Sequence, residues 1–355
     1  MAYHTTYAQA RALLPTPASR AGVAATLVTL AIAPFLLPAF YTGEVSFIFI
    51  LCIASLGLMV LTGYTGLVSL GQGAFLAIGA YVHTAALTAG WPLAAGLLAA
   101  AAAAGAGGLV IGLPAIRVSR LHLAIVTLAF SIVTEHILGR WKSVTGGHSG
   151  LAVPEPTLFG FSLAAPVPFY FLCLTVLVGV LALLANLLRS GTGRAFVGVR
   201  DSEAAAQALG IHVARTKVLA FVVSAATCGA AGALLAHQTQ FITPESFGLA
   251  LSLQLVLMVF IGGLGSLRGA LLGAVLIGLL PTAISILKGW LPARMGNQFG
   301  LELMVYGGVL VLFVLQEPAG IDGRWRRLKR AALEFPLLAR QGFTRQKAYM
   351  RSERA

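Results

Sequence analysis

The sequence predicts an all-α integral membrane protein of about ten transmembrane helices, with re-entrant or broken glycine-rich segments and both termini cytoplasmic. Three observations carry this expectation. Of the 355 residues, 58% are hydrophobic and only 10% are charged, against about 45–50% and about 25% in ordinary soluble chains, which leaves too little polar surface to coat a water-soluble core. Apolar runs long enough to cross the hydrocarbon layer recur along the chain. The basic residues concentrate on alternate sides of those runs, as the positive-inside bias requires.

Residues 1–20 hold Arg11 and Arg20 and read as a cytoplasmic N-terminal segment. The run that follows, 21–40, contains Pro34 and Pro38 and exceeds the about 7–15 apolar residues of a cleaved signal, so it reads as a retained first span. The other runs are 45–62, 74–89, 92–113, 121–138, 167–188, 218–237, 249–262, 270–287 and 299–315, which together define a transmembrane domain at 21–317. With the N-terminus inside, 20 of the 24 Lys and Arg lie on the cytoplasmic side; only Arg140, Lys142, Lys288 and Arg294 fall outside. The tail, 318–355, carries ten of the inside charges and reads as a basic cytoplasmic anchor near anionic lipid, with contact to a partner protein as the other option.

The fourth run, "LAAGLLAAAAAAGAGGLVIG", sets Gly96, Ala100, Ala104, Gly108 and Gly112 four residues apart. That spacing forms one small-residue face on which a neighbouring helix can pack backbone to backbone. Between the second and third runs lies "GYTGLVSLGQGAF", 63–75, with four glycines, one threonine and one serine. Glycine at that density is costly inside a helix, and irregular backbone persists at membrane depth only where protein or a water-filled path surrounds it. Two readings follow: a broken or re-entrant segment lining a pathway, or a turn followed by a glycine-rich packing face. The first makes Gly63, Thr65, Gly66, Ser69, Gly71, Gln72 and Gly73 candidate pathway residues. A related pattern recurs in "IGGLGSLRGALLGAVLIG", 261–278, which permits a duplicated half. Outside the fifth run, "TGGHSGL" adds Thr145, Gly146 and Gly147 to the same candidate set.

The connector 190–217 contains "RDSEAAAQALGI", a charged and alanine-rich stretch between two apolar runs. Asp201 or Ser202 can cap a helix there, Glu203 lies in its first turn, and Gly210 suits its end. Ala204, Ala205, Ala208 and Leu209 share one side of it. A helix of about two turns is marginal alone in water and must lean on something, either a partner's groove or its own protein.

Several function classes are excluded or disfavoured. The net charge of +13 is not interleaved with aromatics as a nucleic-acid groove would require. Cys52, Cys173 and Cys228 lie in apolar runs without a CxxC pattern and read as core residues. No GxxxxGK[ST] motif occurs, and "GQGAFL" has Leu76 where a dinucleotide loop needs its third glycine, so no nucleotide or other cofactor site is expected. The seven histidines are dispersed, and Glu135 with His136 point apart as helix neighbours, so an enzyme is not expected. Glu44, Glu135, Glu245 and Glu302 fall at run ends or in loops, which counts against an ion-coupled secondary transporter.

"EAAAQALG", 203–210, resembles the EAA loop of ABC importer permeases, with its glycine one residue later than in the commonest form. In combination with "GYTGLVSLGQGAFLAIGAY", "LAIVTLAFSIV" and "TGGHSGL", it makes residues 45 to 317 similar to the LivM-type permeases of branched-chain amino acid importers. The resemblance implies a multi-pass subunit of a bacterial inner membrane, working with a second, LivH-like permease, two ATP-binding subunits and a periplasmic binding protein. It also implies that Arg200, Asp201, Glu203, Ala204, Ala205, Ala208, Leu209 and Gly210 form the segment coupled to the ATPase. Urea, short amides and aromatic acids are cargoes of similar permeases and stay open beside branched-chain amino acids.

Overall fold

The computed structural model describes residues 17–118, 120–158, 161–290 and 320–334, and beyond these only positions 307, 308 and 311. The described chain is built of helices. α1 is Pro17–Leu36, α2 is Ala39–Leu58 and runs on through a π-helical turn at Met59–Tyr64, α3 is Gln72–Thr88, and α4 is Leu93–Ala115. α5 is Arg120–Arg140, α6 is Pro166–Arg189, and two short helices follow: α7, Gly191–Asp201, and α8, Glu203–Ala208. α9 is Val213–Thr239, α10 is Leu249–Gly262, α11 is Leu267–Trp290 and α12 is Gly320–Glu334. Strand structure among the described residues is limited to two antiparallel pairs of two residues each: β1, Leu151–Ala152, with β4, Phe241–Ile242, and β2, Thr157–Leu158, with β3, Phe161–Ser162.

Among the described residues, seven helical stretches are long and apolar enough to cross a membrane, which makes this a multi-pass α-helical membrane protein. They contain seven of the ten predicted runs. The run expected at 21–40 is shorter in the structure: its helical part is Ala21–Leu36 of α1, the helix breaks before Pro38, and Ala39 and Phe40 begin α2. The run 74–89 corresponds to α3, a 17-residue helix buried among its neighbours. The run 299–315 lies outside the described residues apart from isolated positions.

α2 and α9 form the centre, because both are buried over most of their length while α4, α5 and α6 leave much of their apolar surface uncovered. An apolar exterior is what contact with lipid selects. Around α9 pack α3 and α4; around α2 pack α6, α10 and α11. The closest approaches run through small residues. A Cβ on Gly108 would lie 2.7 Å from the Phe221 carbonyl, one on Gly229 the same distance from the Ala100 carbonyl, and one on Gly232 would collide with the Leu76 carbonyl. The small-residue face expected from Gly96, Ala100, Ala104, Gly108 and Gly112 is buried. It supplies the α4 side of this seam, so backbones touch where side chains would hold them apart.

Candidate functional site

The glycine-rich segment is a break in the helix, and its polar groups are satisfied from within the protein. The backbone leaves regular helix after Tyr64, Gly66 adopts φ +72°, and α3 begins at Gln72. Thr62 Oγ1 donates to the Leu67 carbonyl at 3.2 Å, beyond the helix end, and Thr65 Oγ1 donates to the Val60 carbonyl at 3.0 Å, in the last helical turn. Distant elements supply the rest. Thr127 Oγ1 of α5 accepts from Leu70 N at 3.0 Å, and Ser252 Oγ of α10 accepts from Gly73 N at 2.8 Å. Gln72 donates to Ser224 Oγ at 3.4 Å and accepts from Cys228 Sγ at 3.0 Å, both on α9. Thr65, Ser69 and Gln72 are fully buried. Broken backbone at this depth is tolerated because protein encloses it.

Gly71 and Gly73 are held by contact. A Cβ at Gly71 would lie 2.7 Å from the Thr127 carbonyl; at Gly73 it would collide with the Phe247 carbonyl and sit 2.8 Å from Ser252 Oγ. Gly63 meets the second glycine pattern directly, since its Cβ would lie 2.7 Å from Gly265 N, the same amide that donates to Met59 Sδ at 3.3 Å. The two similar sequence stretches therefore abut at one end of the bundle.

α7 and α8 sit at that end. Phe196 and Val199 of α7 are buried, which seats it on α6 and α9. Ser202 is extended at φ −161°, ψ 115°, and its Oγ accepts from Ala205 N at 3.3 Å, so Ser202 rather than Asp201 caps α8. Gly210, at φ +81°, ends the turn that follows. Two ties fix the short helix. Ala206 is buried beneath it, and Glu203 Oε2 pairs with Lys217 Nζ at 2.7 Å, where the lysine side chain is only 5% exposed. Arg200 links this knob to the break: its guanidinium donates to the Gly63 carbonyl at 3.0 Å and to Asp201 Oδ1 at 3.0 Å. Ala204, Ala205, Ala208 and Leu209 are left exposed, Leu209 at 82%.

The third candidate group lies elsewhere. Thr145 is buried, its Oγ1 donates to the Leu138 and Trp141 carbonyls, and it accepts from Gly147 N at 3.2 Å. Gly146 and Gly147, at φ +70° and +63°, make a turn that an L side chain would strain. His148 Nδ1 meets Glu245 Oε1 at 2.6 Å, and β1 pairs with β4 beside it. This loop follows the far end of α5, about 20 Å along the helix from the Thr127 contact at 1.5 Å per residue. The structure thus brings Gly63 and Arg200 together and keeps Thr145–Gly147 apart from both. Sequence reasoning missed Ala206, Lys217 and Gly265. A signal existed for α7 in the i, i+3 pair of Phe196 and Val199, but none for Ala206, which looks like its exposed neighbours.

A multi-pass helical body, sealed by buried contacts through its core and bearing a short, pinned, surface-exposed helix at one end, is the build of a transport permease subunit. Residues 42–314 match the family described as branched-chain amino acid transport system, permease component, and the chain belongs to that family. It is 33% identical over 327 residues to the high-affinity branched-chain amino acid transport system permease protein LivM of Escherichia coli strain K12, covering 83% of this chain and 73% of that protein. LivH of the same strain is 27% identical over 289 residues, 76% of this chain and 90% of LivH. The autoinducer 2 import system permease protein LsrC of Enterobacter sp. strain 638 is 35% identical over 243 residues, 65% of this chain and 62% of LsrC. No solved structure matches the chain.

Proposed function

We propose that this chain is one of two permease subunits of an ABC importer that carries branched-chain amino acids across a bacterial inner membrane. Its partners in this reading are a second, LivH-like permease, two ATP-binding subunits that hydrolyse the ATP, and a periplasmic binding protein. In this reading the chain crosses the membrane ten times, and both termini and α7–α8 face the cytoplasm. The observation that carries the reading is α8: a helix too short to hold itself, anchored through Ala206, Ser202 and Glu203–Lys217, yet presenting Ala204, Ala205, Ala208 and Leu209 outward. Such a surface, small in profile with one large apolar tip, fits the groove of another protein. Arg200 joins this knob to the Gly63 carbonyl, so displacement of α8 by a closing ATPase pair reaches the helix break directly. The broken segment, Gly63 to Gly73, is the part of the pathway this motion opens.

Likeness to an autoinducer 2 permease as well as to LivM and LivH indicates that one permease scaffold serves chemically different cargo. Selection among amino acids, amides and other small polar molecules is accordingly assigned to the binding protein. The test is Ala205→Glu in cells that express all the subunits. Uptake is lost and the ATP-binding subunits no longer co-purify, while the permease still inserts. Uptake unchanged by this substitution contradicts the coupling role.

A further inference from the structure

α12 differs in kind from the membrane helices. Its sequence, GIDGRWRRLKRAALE, carries Arg324, Arg326, Arg327, Lys329 and Arg330 against Asp322 and Glu334, and helical spacing puts Ile321, Trp325 and Leu328 on one stripe. The start of the helix is fixed to the protein. Gly320, at φ +69°, packs so tightly on Gly263 that a Cβ would lie 2.5 Å from its Cα, and Asp322 is buried. Further along, the same stripe is uncovered: Trp325 is 58% exposed and Leu328 59%. A basic helix with a bare Trp and Leu edge, held at the ends of membrane helices, has the make-up of one that lies in the bilayer interface.

Trp325 also walls a cavity of about 480 Å³. The last turn of α6 contributes Leu188 and Arg189, and the turn into α11 contributes Ser266 and Arg268. Two guanidiniums from separate helix ends, an indole and the buried carboxylate of Asp322 thus border one cleft, whose formal charge stays positive and whose flank is apolar. Basic clefts between membrane helices at the cytoplasmic side suit anionic head groups. We infer that this cleft binds the phosphate-bearing head group of an anionic phospholipid. Arg189 and Arg268 engage the phosphate, and Trp325 and Leu328 rest against the glycerol and acyl region. Gly265 lines the same cleft, and Arg200 approaches to 3.0 Å of its Cβ position, so the bound lipid abuts the turn that α7 touches.

The full chain in nanodiscs of mixed phosphatidylglycerol and phosphatidylcholine, released for native mass spectrometry, tests this. Phosphatidylglycerol is retained over phosphatidylcholine by about fivefold per engaged arginine. The ratio falls to near unity in R189Q/R268Q and survives in R268K. Lipids brominated on the upper acyl chain quench Trp325 fluorescence, read as the difference between wild type and W325F; should the double variant fail to insert, R268Q with this fluorescence readout carries the test. Equal retention of the two lipids by wild type, or an unchanged ratio in R189Q/R268Q, overturns the inference. Displacement of the lipid by millimolar inorganic phosphate overturns it in favour of a free-phosphate site, and cross-linking of L328C to a partner subunit overturns it in favour of a protein interface.

Discussion

Between α4 and α9, small residues are buried so that backbones can meet: Gly108 lies on the Phe221 carbonyl and Gly229 on the Ala100 carbonyl. On α8, residues of much the same size, Ala204, Ala205 and Ala208, face outward. The difference lies in the solvent each region has. At lipid depth a small side chain is useful because apolar tails offer no hydrophobic drive to associate, and packing must come from close approach. At the helix ends, where water is present, the same size gives α8 a low surface, the one proposed above to receive the ATP-binding subunits. Composition alone therefore does not separate the two uses, whereas position relative to the apolar runs does.

Substitutions that break this contrast fall in order of their effect on stability. Gly232→Leu drives a branched side chain onto the Leu76 carbonyl and costs more than about 3 kcal/mol, so the protein is lost from the monodisperse fraction in mild detergent. Gly73→Val places bulk against Phe247 and Ser252 and costs about 2 kcal/mol, seen as a lowered melting temperature; melting unchanged by this variant would mean the contact relaxes freely. Arg200→Met removes the bond to the Gly63 carbonyl and costs about 1 to 2 kcal/mol, the range for a charged hydrogen bond partly open to solvent. Its larger effect is on uptake, which falls while the ATP-binding subunits still co-purify. His148→Gln removes the imidazole contact with Glu245, between side chains that are 67% and 55% exposed, and changes stability by less than about 1 kcal/mol. Ala205→Glu, on the outward face of α8, shifts stability by less than about 0.5 kcal/mol and abolishes transport, the reverse of the seam variants.

The helical runs were legible because lipid imposes composition on every residue that meets it, and the α4 stripe was legible because period four is a local pattern. The cap and stop of α8 were legible for the same reason, at Ser202 and Gly210. What stayed hidden depends on pairings across long stretches of chain. Nothing near Gly73 announces Ser252, and nothing near Leu70 announces Thr127, although these hydroxyls hold the break in place. α3 read as an ordinary span, yet its 17 residues are enclosed by α4, α9 and α10. The duplicated glycine pattern suggested a relation between 63–75 and 261–278 but gave no sign that Gly63 and Gly265 touch. Lys217 read as a loop charge, whereas it is buried beneath Glu203.

The exposed knob is the part of the account on which the rest turns. Cys52, Cys173 and Cys228 are buried, so Leu209→Cys adds a single accessible thiol at the tip of α8. A membrane-impermeant maleimide applied to oriented vesicles reads its side and its cover. The account predicts labelling from the cytoplasmic face only, and protection from it when the ATP-binding subunits are bound. Labelling from the opposite face, or labelling on the cytoplasmic face that bound ATP-binding subunits leave undiminished, contradicts it.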